Sequence, residues 1–114
     1  PTVIEPGLRL LDRELPTGVG GIDLYAMDGD GRYVIVELKR GKATQEAVHQ
    51  LSRYVSAVQA DVGTAVRGIL AAPSISKPAL LQLERQGLEF REVSALPGFE
   101  EAGPVQSPLF GPLG

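Results

Sequence analysis

A β-hairpin signal in the first third of the chain limits the possible folds more than any other part of the sequence. Residues 22–28, "IDLYAMD", and 32–39, "RYVIVELK", are rich in the aromatic, β-branched and aliphatic residues found in strands. Between them stands "DGDG", and Asp-Gly pairs are typical of tight hairpin turns. We therefore expect two antiparallel strands joined by a short turn.

The segments around this hairpin complete an α/β pattern. One strand is predicted before the hairpin, at 8–15. After the hairpin we predict a helix at 45–61, a strand at 65–73, a second helix at 76–86 and a last strand at 88–93. "PTGVGG" joins the first strand to the hairpin as a turn, so three strands form an antiparallel meander. The predicted order is βββαβαβ, a mixed central sheet flanked by helices.

Both predicted helices carry signals for their ends or their buried face. Six residues of the first helix recur at helical spacing and predict a stripe that faces the core: Ala47, Val48, Leu51, Tyr54, Val55 and Val58. We expect the hydroxyl of Thr44 to cap this helix and that of Ser76 to cap the second helix. Gly87 follows the second helix and is expected to end it.

The bulk composition excludes several classes of protein. The 114 residues fit one domain with one core, and the sequence shows neither a membrane span nor a signal peptide. With no Cys and one His, disulfides and zinc sites built on Cys or several His are excluded. A net charge of −3 argues against binding nucleic acid by bulk charge alone. We expect a cytoplasmic protein and, because the chain begins at Pro1, a piece of a longer one.

The composition changes after Ser94. The last 20 residues contain four Pro and four Gly, which is typical of a segment that buries little apolar surface. We therefore predict a folded domain at 1–94 and a flexible tail at 95–114.

The apolar strand at 32–39 ends in two opposite charges. Because side chains alternate along a strand, Glu37 and Lys39 share one face, and pairing across the turn places Asp23 opposite Glu37. Two carboxylates this close stay ionised when a cation lies between them. Mg²⁺ and Mn²⁺ prefer oxygen ligands, so Asp23, Glu37 and the backbone carbonyl of Leu38 form a candidate metal site. Lys39 would orient or activate the attacking water and offset charge on a phosphate.

A structural interpretation of the same residues stays open. Lys39 can form an ion pair with Asp23 or Glu37 at the strand end, and Glu-x-Lys tripeptides are common by chance. The Asp at hairpin register favours the metal site over the simple ion pair.

Asp23, then 13 residues, then Glu37-Leu38-Lys39 resembles the D…E-x-K signature of the PD-(D/E)XK nuclease superfamily. The strand–strand–helix context is similar to the restriction-endonuclease-like core of that superfamily. "QLSRY" adds Gln50 and Tyr54, four apart on one helix face, and resembles the Q-x-x-x-Y element of the RecB-like branch. Over residues 4 to 94 the sequence resembles one family, NucS, also called EndoMS, and specifically its C-terminal nuclease half.

This resemblance implies a metal-dependent DNA endonuclease. Family members cut branched or mismatched DNA with Mg²⁺ or Mn²⁺, and the mismatch-cutting members act in mismatch repair. Carried over to this chain, Asp23 and Glu37 are metal ligands and Lys39 is the catalytic lysine. Gln50 and Tyr54 are supporting active-site residues.

The resemblance also implies parts that this chain lacks. The family has an N-terminal half that binds DNA and dimerises, so the full-length protein is expected to be a homodimer. Many relatives contribute an additional acidic residue from a helix before the first strand, and that helix is largely missing here. Glu5 and Glu14 are the candidates for this residue in the present sequence.

Further residues are candidates for contacts with partners. Arg40 and Lys42 follow the motif in a Gly-containing loop, and Arg53 lies on the helix, where each is a candidate DNA-phosphate contact or an ordinary solvated charge. In the tail, "QSPLF" at 106–110 resembles the Q-x-x-L-F peptide that docks on the bacterial sliding clamp. In that peptide Gln106 makes polar contacts, while Leu109 and Phe110 enter an apolar pocket.

Two other functions remain as alternatives. One is a catalytically inactive, nuclease-like module that binds DNA or the clamp as an adaptor. The other is a branched-DNA or single-strand nuclease of the same superfamily. The presence of Asp23, Glu37 and Lys39 favours an enzyme.

Overall fold

The computed structural model describes residues 4–17 and 20–93 of the chain. The described residues form seven strands and two helices. In chain order these are β1 (Arg9–Thr17), β2 (Gly20–Met27), β3 (Tyr33–Leu38), β4 (Lys42–Ala43), α1 (Gln45–Val62), β5 (Arg67–Ala72), β6 (Ser74–Ile75), α2 (Lys77–Arg85) and β7 (Glu89–Glu92). Every helix and strand predicted from the sequence is present.

Five strands form one mixed sheet in the order β1-β2-β3-β5-β7. The first three strands are antiparallel neighbours, whereas β3, β5 and β7 run parallel to one another. The crossovers between the parallel strands contain α1 and α2, as a parallel connection requires. The predicted mixed α/β architecture, with its antiparallel meander, is confirmed.

The strands β4 and β6 are a correction to the predicted order. They have two residues each and pair in parallel through Lys42↔Ser74 and Ala43↔Ile75. Ser76 N–H also donates to the Ala43 carbonyl at 3.0 Å. These strands form because the segments after β3 and β5 lie side by side, and two-residue strands leave no periodic signal in a sequence.

The apolar stripe of α1 packs on one face of the sheet. All six predicted residues of this stripe are buried. They form a cluster with Ile22, Ile35 and Leu70 of the sheet and with Ala79 and Leu83 of α2. Both helices therefore cover the same face, which Ile35 shares with Glu37 two residues later.

The opposite face has its own apolar cluster. Strand residues such as Val34, Val36 and Ile69 lie there, together with Ile4 and Val93 from the two ends of the described chain. The alternation of Ile35 and Glu37 against Val34 and Val36 confirms the predicted faces of β3.

The N-cap residues of the two helices differ in whether their side chains make a capping hydrogen bond. The Ser76 hydroxyl accepts a hydrogen bond from Ala79 N–H at 3.2 Å, which confirms the predicted cap of α2. Thr44 occupies the N-cap position of α1, but its side chain makes no capping hydrogen bond within the described structure. The predicted hydroxyl cap is therefore wrong, although the Thr44 carbonyl accepts from Ala47 N–H at 3.0 Å.

The described helices include none that is both long enough and apolar enough to span a membrane. The predicted tail at 95–114, with Gln106, Leu109 and Phe110, lies outside the described residues.

Candidate active site

The candidate site lies where β2 begins and β3 ends. The two strands pair through Leu24↔Val36, Tyr25↔Ile35 and the following residues towards the turn. Extending this register by one residue places Asp23 opposite Glu37, as the sequence predicted. The register is fixed by the hairpin turn, in which the Asp28 carboxylate accepts hydrogen bonds from Asp30 N–H and Arg32 N–H at 2.9 Å each.

Asp23 takes over a backbone position at the end of the ladder. Its Oδ2 accepts a hydrogen bond from Leu38 N–H at 2.9 Å, where the next main-chain bond of the ladder would otherwise form. The N–H and C=O of one strand residue point towards the same neighbour. The Leu38 carbonyl therefore faces β2 as well, on the side of the Asp23 carboxylate.

Glu37 is the buried member of the pair. The residue is 4% exposed, and its Oε2 lies 3.5 Å from Lys39 Nζ. Its Oε1 is buried and has no hydrogen-bond partner within the described part of the chain. Buried polar atoms are nearly always paired, so this oxygen needs an explanation that the ion pair with Lys39 does not supply.

Burial and mutual repulsion disfavour two negative charges at this site. Burial is the largest cause that raises the pKa of Glu37 to about 7, and the nearby Asp23 charge adds to it, while Lys39 opposes it. Burial also raises the pKa of Asp23, against the lowering effects of the Leu38 N–H and the Lys39 charge. The pair thus retains a proton close to neutral pH unless a cation replaces it.

The residues present fit a hard divalent cation. Asp23, Glu37 and the Leu38 carbonyl offer oxygen donors only, which is the set that Mg²⁺ and Mn²⁺ prefer. The unpaired Glu37 Oε1 is the donor that such an ion would satisfy. No cluster of three or more His, Cys, Asp or Glu side chains among the described residues could hold a metal, so this donor set relies on one backbone oxygen.

Gln50 and Tyr54 are brought together by α1. Gln50 Nε2 donates a hydrogen bond to Tyr54 Oη at 2.8 Å, one helical turn apart. Tyr54 is 2% exposed and belongs to the core under the sheet. The ring of Tyr54 is thus a core residue whose hydroxyl accepts the Gln50 amide hydrogen bond, and the supporting active-site role of the two residues stays a prediction.

The three basic candidates are all exposed, on different parts of the chain. Arg40 and Lys42 are exposed in the segment that leaves β3, and Arg53 is exposed on α1 one residue before Tyr54. Arg40 makes further interactions within the chain, so it is not simply a solvated charge. Their contact with DNA stays a prediction.

The two candidates for an additional acidic residue lie in different places. Glu5 accepts hydrogen bonds from Arg67 and Arg91 at the far end of β5, so it is engaged away from the site. Glu14 lies on β1 between Arg13 and Leu15, which pair with Leu24 and Ile22. This position is opposite Asp23, and the Glu14 charge contributes to the raised pKa of Asp23.

One residue at the site was missed at the level of sequence. Gly20 begins β2 with a φ of 133°, and a Cβ there would lie 2.8 Å from Tyr54 Oη. The signal was the "GG" directly before "ID", which is also ordinary turn chemistry.

The mixed sheet and the carboxylate pair at the end of β3 define the chain as a domain of the PD-(D/E)XK nuclease class. A comparison with known families matches residues 1–102 to the Endonuclease NucS C-terminal domain. The chain belongs to this family.

Curated relatives agree with this assignment. Endonuclease NucS of Thermococcus kodakarensis is 47% identical over 93 residues, which cover 82% of this chain and 37% of the relative. Endonuclease NucS of Frankia alni is 47% identical over 90 residues, which cover 77% of this chain and 40% of the relative. The chain thus spans about two fifths of the length of the relatives it matches.

Solved structures show the same fold. A repair endonuclease from Pyrococcus abyssi has a TM-score of 0.77 and 46% identity, over 80% of this chain and 40% of that one. A complex described as EndoMS–dsDNA2 has a TM-score of 0.77 and 46% identity, over 80% of this chain and 38% of that one.

Proposed function

We propose that this chain is the catalytic domain of a metal-dependent DNA endonuclease that cuts mismatched or branched DNA in mismatch repair. The observation that carries this proposal is the buried Glu37 Oε1, which lacks a partner among the described residues at the point where Asp23 and Leu38 offer further oxygens. A buried carboxylate oxygen without a partner, beside a second carboxylate, is typical of functional sites more than of structural strand ends. The nuclease names of the relatives support the same reaction class.

The roles of the side chains follow from their positions. Asp23, Glu37 and the Leu38 carbonyl would hold Mg²⁺ or Mn²⁺. When bound, such an ion stabilises charge on a phosphate and lowers the pKa of a coordinated water. Lys39, whose side chain is part exposed and 3.5 Å from Glu37, places its ammonium beside the incoming phosphate and offsets its developing charge.

DNA would approach the end of the sheet at which β3 ends. Arg40, Lys42 and Arg53 are exposed, and they would contact phosphates, which position a duplex without reading its sequence. Because the net charge of this chain is −3, DNA contacts made by this domain would depend on such a local set rather than on its overall charge. The likeness to an EndoMS–dsDNA2 complex supports a duplex substrate.

The first test joins this chain to the part of a relative that the match does not cover. This chain replaces the matching 93 residues of the Thermococcus kodakarensis protein, and the chimera is incubated with labelled matched, singly mismatched, flap and single-stranded DNA. We expect cutting of the mismatched or flap duplex with Mg²⁺ or Mn²⁺ and none with a chelator.

Two variants complete this test. Glu37→Gln removes the charge of a metal ligand and should abolish cutting, whereas Glu84→Gln removes a charge on the exposed surface of α2 and should preserve it. Cutting by Glu37→Gln would refute the site. A chimera that binds mismatched DNA and cuts no substrate would support the inactive adaptor, and preference for single strands would support the other nuclease alternative.

The proposal extends to partners that the sequence suggests. The "QSPLF" peptide at 106–110 would recruit the enzyme to the DNA sliding clamp. The full-length protein would be a homodimer, so that each subunit cuts one strand. A DNA substrate fits a cytoplasmic location.

Clamp recruitment has its own test. Leu109→Ala with Phe110→Ala should weaken binding of this chain to a bacterial sliding clamp, because it removes the apolar anchors of the peptide. The matched control Leu113→Ala lies outside the peptide and should bind like the parent chain. Equal clamp binding by both variants would refute this role of the tail.

A further inference from the structure

At Gly20, the first residue of β2, Tyr54 of α1 leaves no room for a side chain. It begins the strand with a φ of 133°, and a Cβ built there would lie 2.8 Å from Tyr54 Oη and 3.3 Å from Tyr54 Cε1. Real Cβ contacts are longer, so with any larger residue either the Tyr54 ring or the start of β2 would have to shift. The Gly20 carbonyl also accepts a hydrogen bond from the Thr17 hydroxyl at 2.7 Å, which helps to hold this backbone in place.

The Tyr54 hydroxyl that meets Gly20 has a second neighbour. It accepts the hydrogen bond from Gln50 Nε2 at 2.8 Å. The ring itself is fixed in the core, with the residue 2% exposed. Gly20, Tyr54 and Gln50 therefore form a short chain of contacts from the start of β2 to the first half of α1.

This chain of contacts lies at the functional end of the sheet. Gly20 precedes Asp23 by three residues on β2, and β3 ends at this same edge, just before the segment that enters α1. Any shift of the Tyr54 ring would move the start of β2, the Gln50 amide, or both. Small displacements of this kind are costly at sites whose groups must be held in fixed geometry.

We propose that Gly20 is a positioning residue for the nuclease site: by lacking a side chain it seats the Tyr54 hydroxyl against the start of β2, and this contact sets the Gln50 amide relative to the strand that carries Asp23. The inference rests on the proposed nuclease function for its consequence, but the contact itself can be tested without DNA.

A competing explanation is that Gly20 is needed only for its backbone angle. A φ of 133° is unfavourable for any residue with a side chain, whatever lies nearby. The two explanations differ in one respect. The strain at φ is the same with Tyr54 or with Phe at position 54, whereas the closest contact, to Oη, exists only with Tyr54.

A double-mutant cycle separates them. Gly20→Ala is made in this chain and in Tyr54→Phe, and the urea midpoint of unfolding is measured for all four proteins. We expect the loss caused by Gly20→Ala to be at least about twofold smaller in the Tyr54→Phe background, because coupled neighbours are not additive. Gly21→Ala is the matched control, since a Cβ there meets nothing within 4 Å, and its effect should be the same in both backgrounds.

The second readout follows the Gln50 side chain directly. In the ¹⁵N–¹H spectrum of this chain, the Gln50 side-chain amide signals should shift in Gly20→Ala and stay in place in Gly21→Ala. A purely structural loss of stability would not move a folded-state signal of Gln50 selectively. Unchanged Gln50 signals in folded Gly20→Ala, or equal losses in both backgrounds of the cycle, would overturn the proposal.

Failure of the single variant to fold is also decisive. If Gly20→Ala is unfolded while Gly20→Ala with Tyr54→Phe is folded, the contact with Oη is the cause and the proposal stands. If both are unfolded, the backbone angle alone accounts for Gly20 and the proposal falls.

The catalytic consequence is measured in the chimera with mismatched DNA. Gly20→Ala should lower kcat at least about tenfold with little change in KM, whereas Gly21→Ala should stay within about twofold of the parent. A parent chimera that cuts no DNA would refute the proposed function, while the stability cycle and the Gln50 signals would still decide the role of Gly20.

Discussion

Glu37 connects the stability of this domain to its chemistry. A buried carboxylate beside another carboxylate is costly when it is ionised, and Lys39 at 3.5 Å offsets only part of that cost. The same environment favours a divalent cation, because the ion supplies the positive charge that the fold leaves out. If the proposed function holds, cation binding at this site would offset a charge cost that lowers the stability of the ligand-free protein.

The first prediction concerns Glu37→Gln without metal. The pKa of Glu37 in the folded chain is about 7, above its ordinary value of 4.5, so the folded state binds this proton more tightly than the unfolded state. Its stabilising contribution is therefore present below pH 4.5 and is lost as the pH rises through about 7. Glu37→Gln removes this loss, and we expect it to raise the free energy of unfolding by roughly 1–3 kcal/mol at about pH 8.

Urea unfolding in a chelator at about pH 5 and pH 8 measures this effect, since most of the gain should be absent at the lower pH. Glu84→Gln, which removes a carboxylate from the exposed surface of α2 away from the site, serves as the control. Destabilisation by Glu37→Gln at the higher pH would mean that the ion pair with Lys39 is the dominant role of Glu37.

A second prediction concerns the pH dependence of metal binding. Since the pKa values of both Asp23 and Glu37 are raised, an incoming cation must displace a proton below about pH 7. The affinity of this chain for Mn²⁺ should rise about tenfold per pH unit between about pH 5 and 7 and then level off. Titration calorimetry in buffers of different ionisation enthalpy measures both the affinity and the proton released. An affinity independent of pH across this range would contradict the shared proton.

The secondary-structure elements show where sequence reasoning succeeds and where it fails. The stripe of α1 and the register of the hairpin were predictable, because a long periodic pattern and a tight turn are local properties of the chain. The pairing of β4 with β6 was not predictable, since it depends on two loops brought together by β3 and β5. Thr44 illustrates the same limit, because its residue type suits a cap while its side chain does not make the bond.

The third prediction compares the two N-cap residues. The Ser76 hydroxyl oxygen accepts a hydrogen bond from Ala79 N–H at 3.2 Å. Because this bond caps α2, Ser76→Ala should destabilise the domain by about 1 kcal/mol. Thr44→Ala removes no capping bond and should change the free energy of unfolding by less than about 0.5 kcal/mol. Urea unfolding of the two variants tests this difference, and equal losses would indicate that Thr44 does cap α1 in solution.

At the scale of the whole molecule, the sheet separates two kinds of charged cluster. The carboxylate pair lies where β3 ends, whereas Arg67 lies where β5 begins, at the opposite end of the sheet. Arg67 contacts three carboxylates, from Glu5, Asp28 and Glu89, at 2.7–3.0 Å. One end of the sheet is therefore paired internally and the other leaves an oxygen unpaired among the described residues.

The Arg67 cluster could not be read from the sequence. Its members are separated by up to 84 positions, from Glu5 to Glu89, and no local pattern relates them. The candidate site, by contrast, could be predicted from the sequence, because Asp23 and Glu37 are joined by a short hairpin. The unpaired Glu37 Oε1, which supports the metal-site proposal, could be found only from the full packing of the sheet.

The last prediction concerns Arg67→Met. The Arg67 side chain is 14% exposed, and its removal leaves Glu5, Asp28 and Glu89 to share the remaining arginines Arg32 and Arg91. Without Arg67, partly buried carboxylates lose a positively charged partner. We therefore expect a loss of about 2 kcal/mol in the free energy of unfolding at about pH 7. Arg85→Met, exposed in the last turn of α2, should cost less than about 0.5 kcal/mol.

The pH dependence identifies the cause of this loss. Arg67 hydrogen bonds lower the pKa values of Glu5 and Glu89, and backbone hydrogen bonds together with Arg67 lower that of Asp28 from 3.8 to about 2. Groups with lowered pKa values stabilise the fold above their ordinary values, and that stability is lost as the pH falls through their folded values. The difference between Arg67→Met and the parent should therefore shrink as the pH falls from about 5 towards 2. If the stability difference between Arg67→Met and the parent instead stays constant down to about pH 2, Arg67 acts through the packing of its aliphatic stem, because that contribution does not titrate.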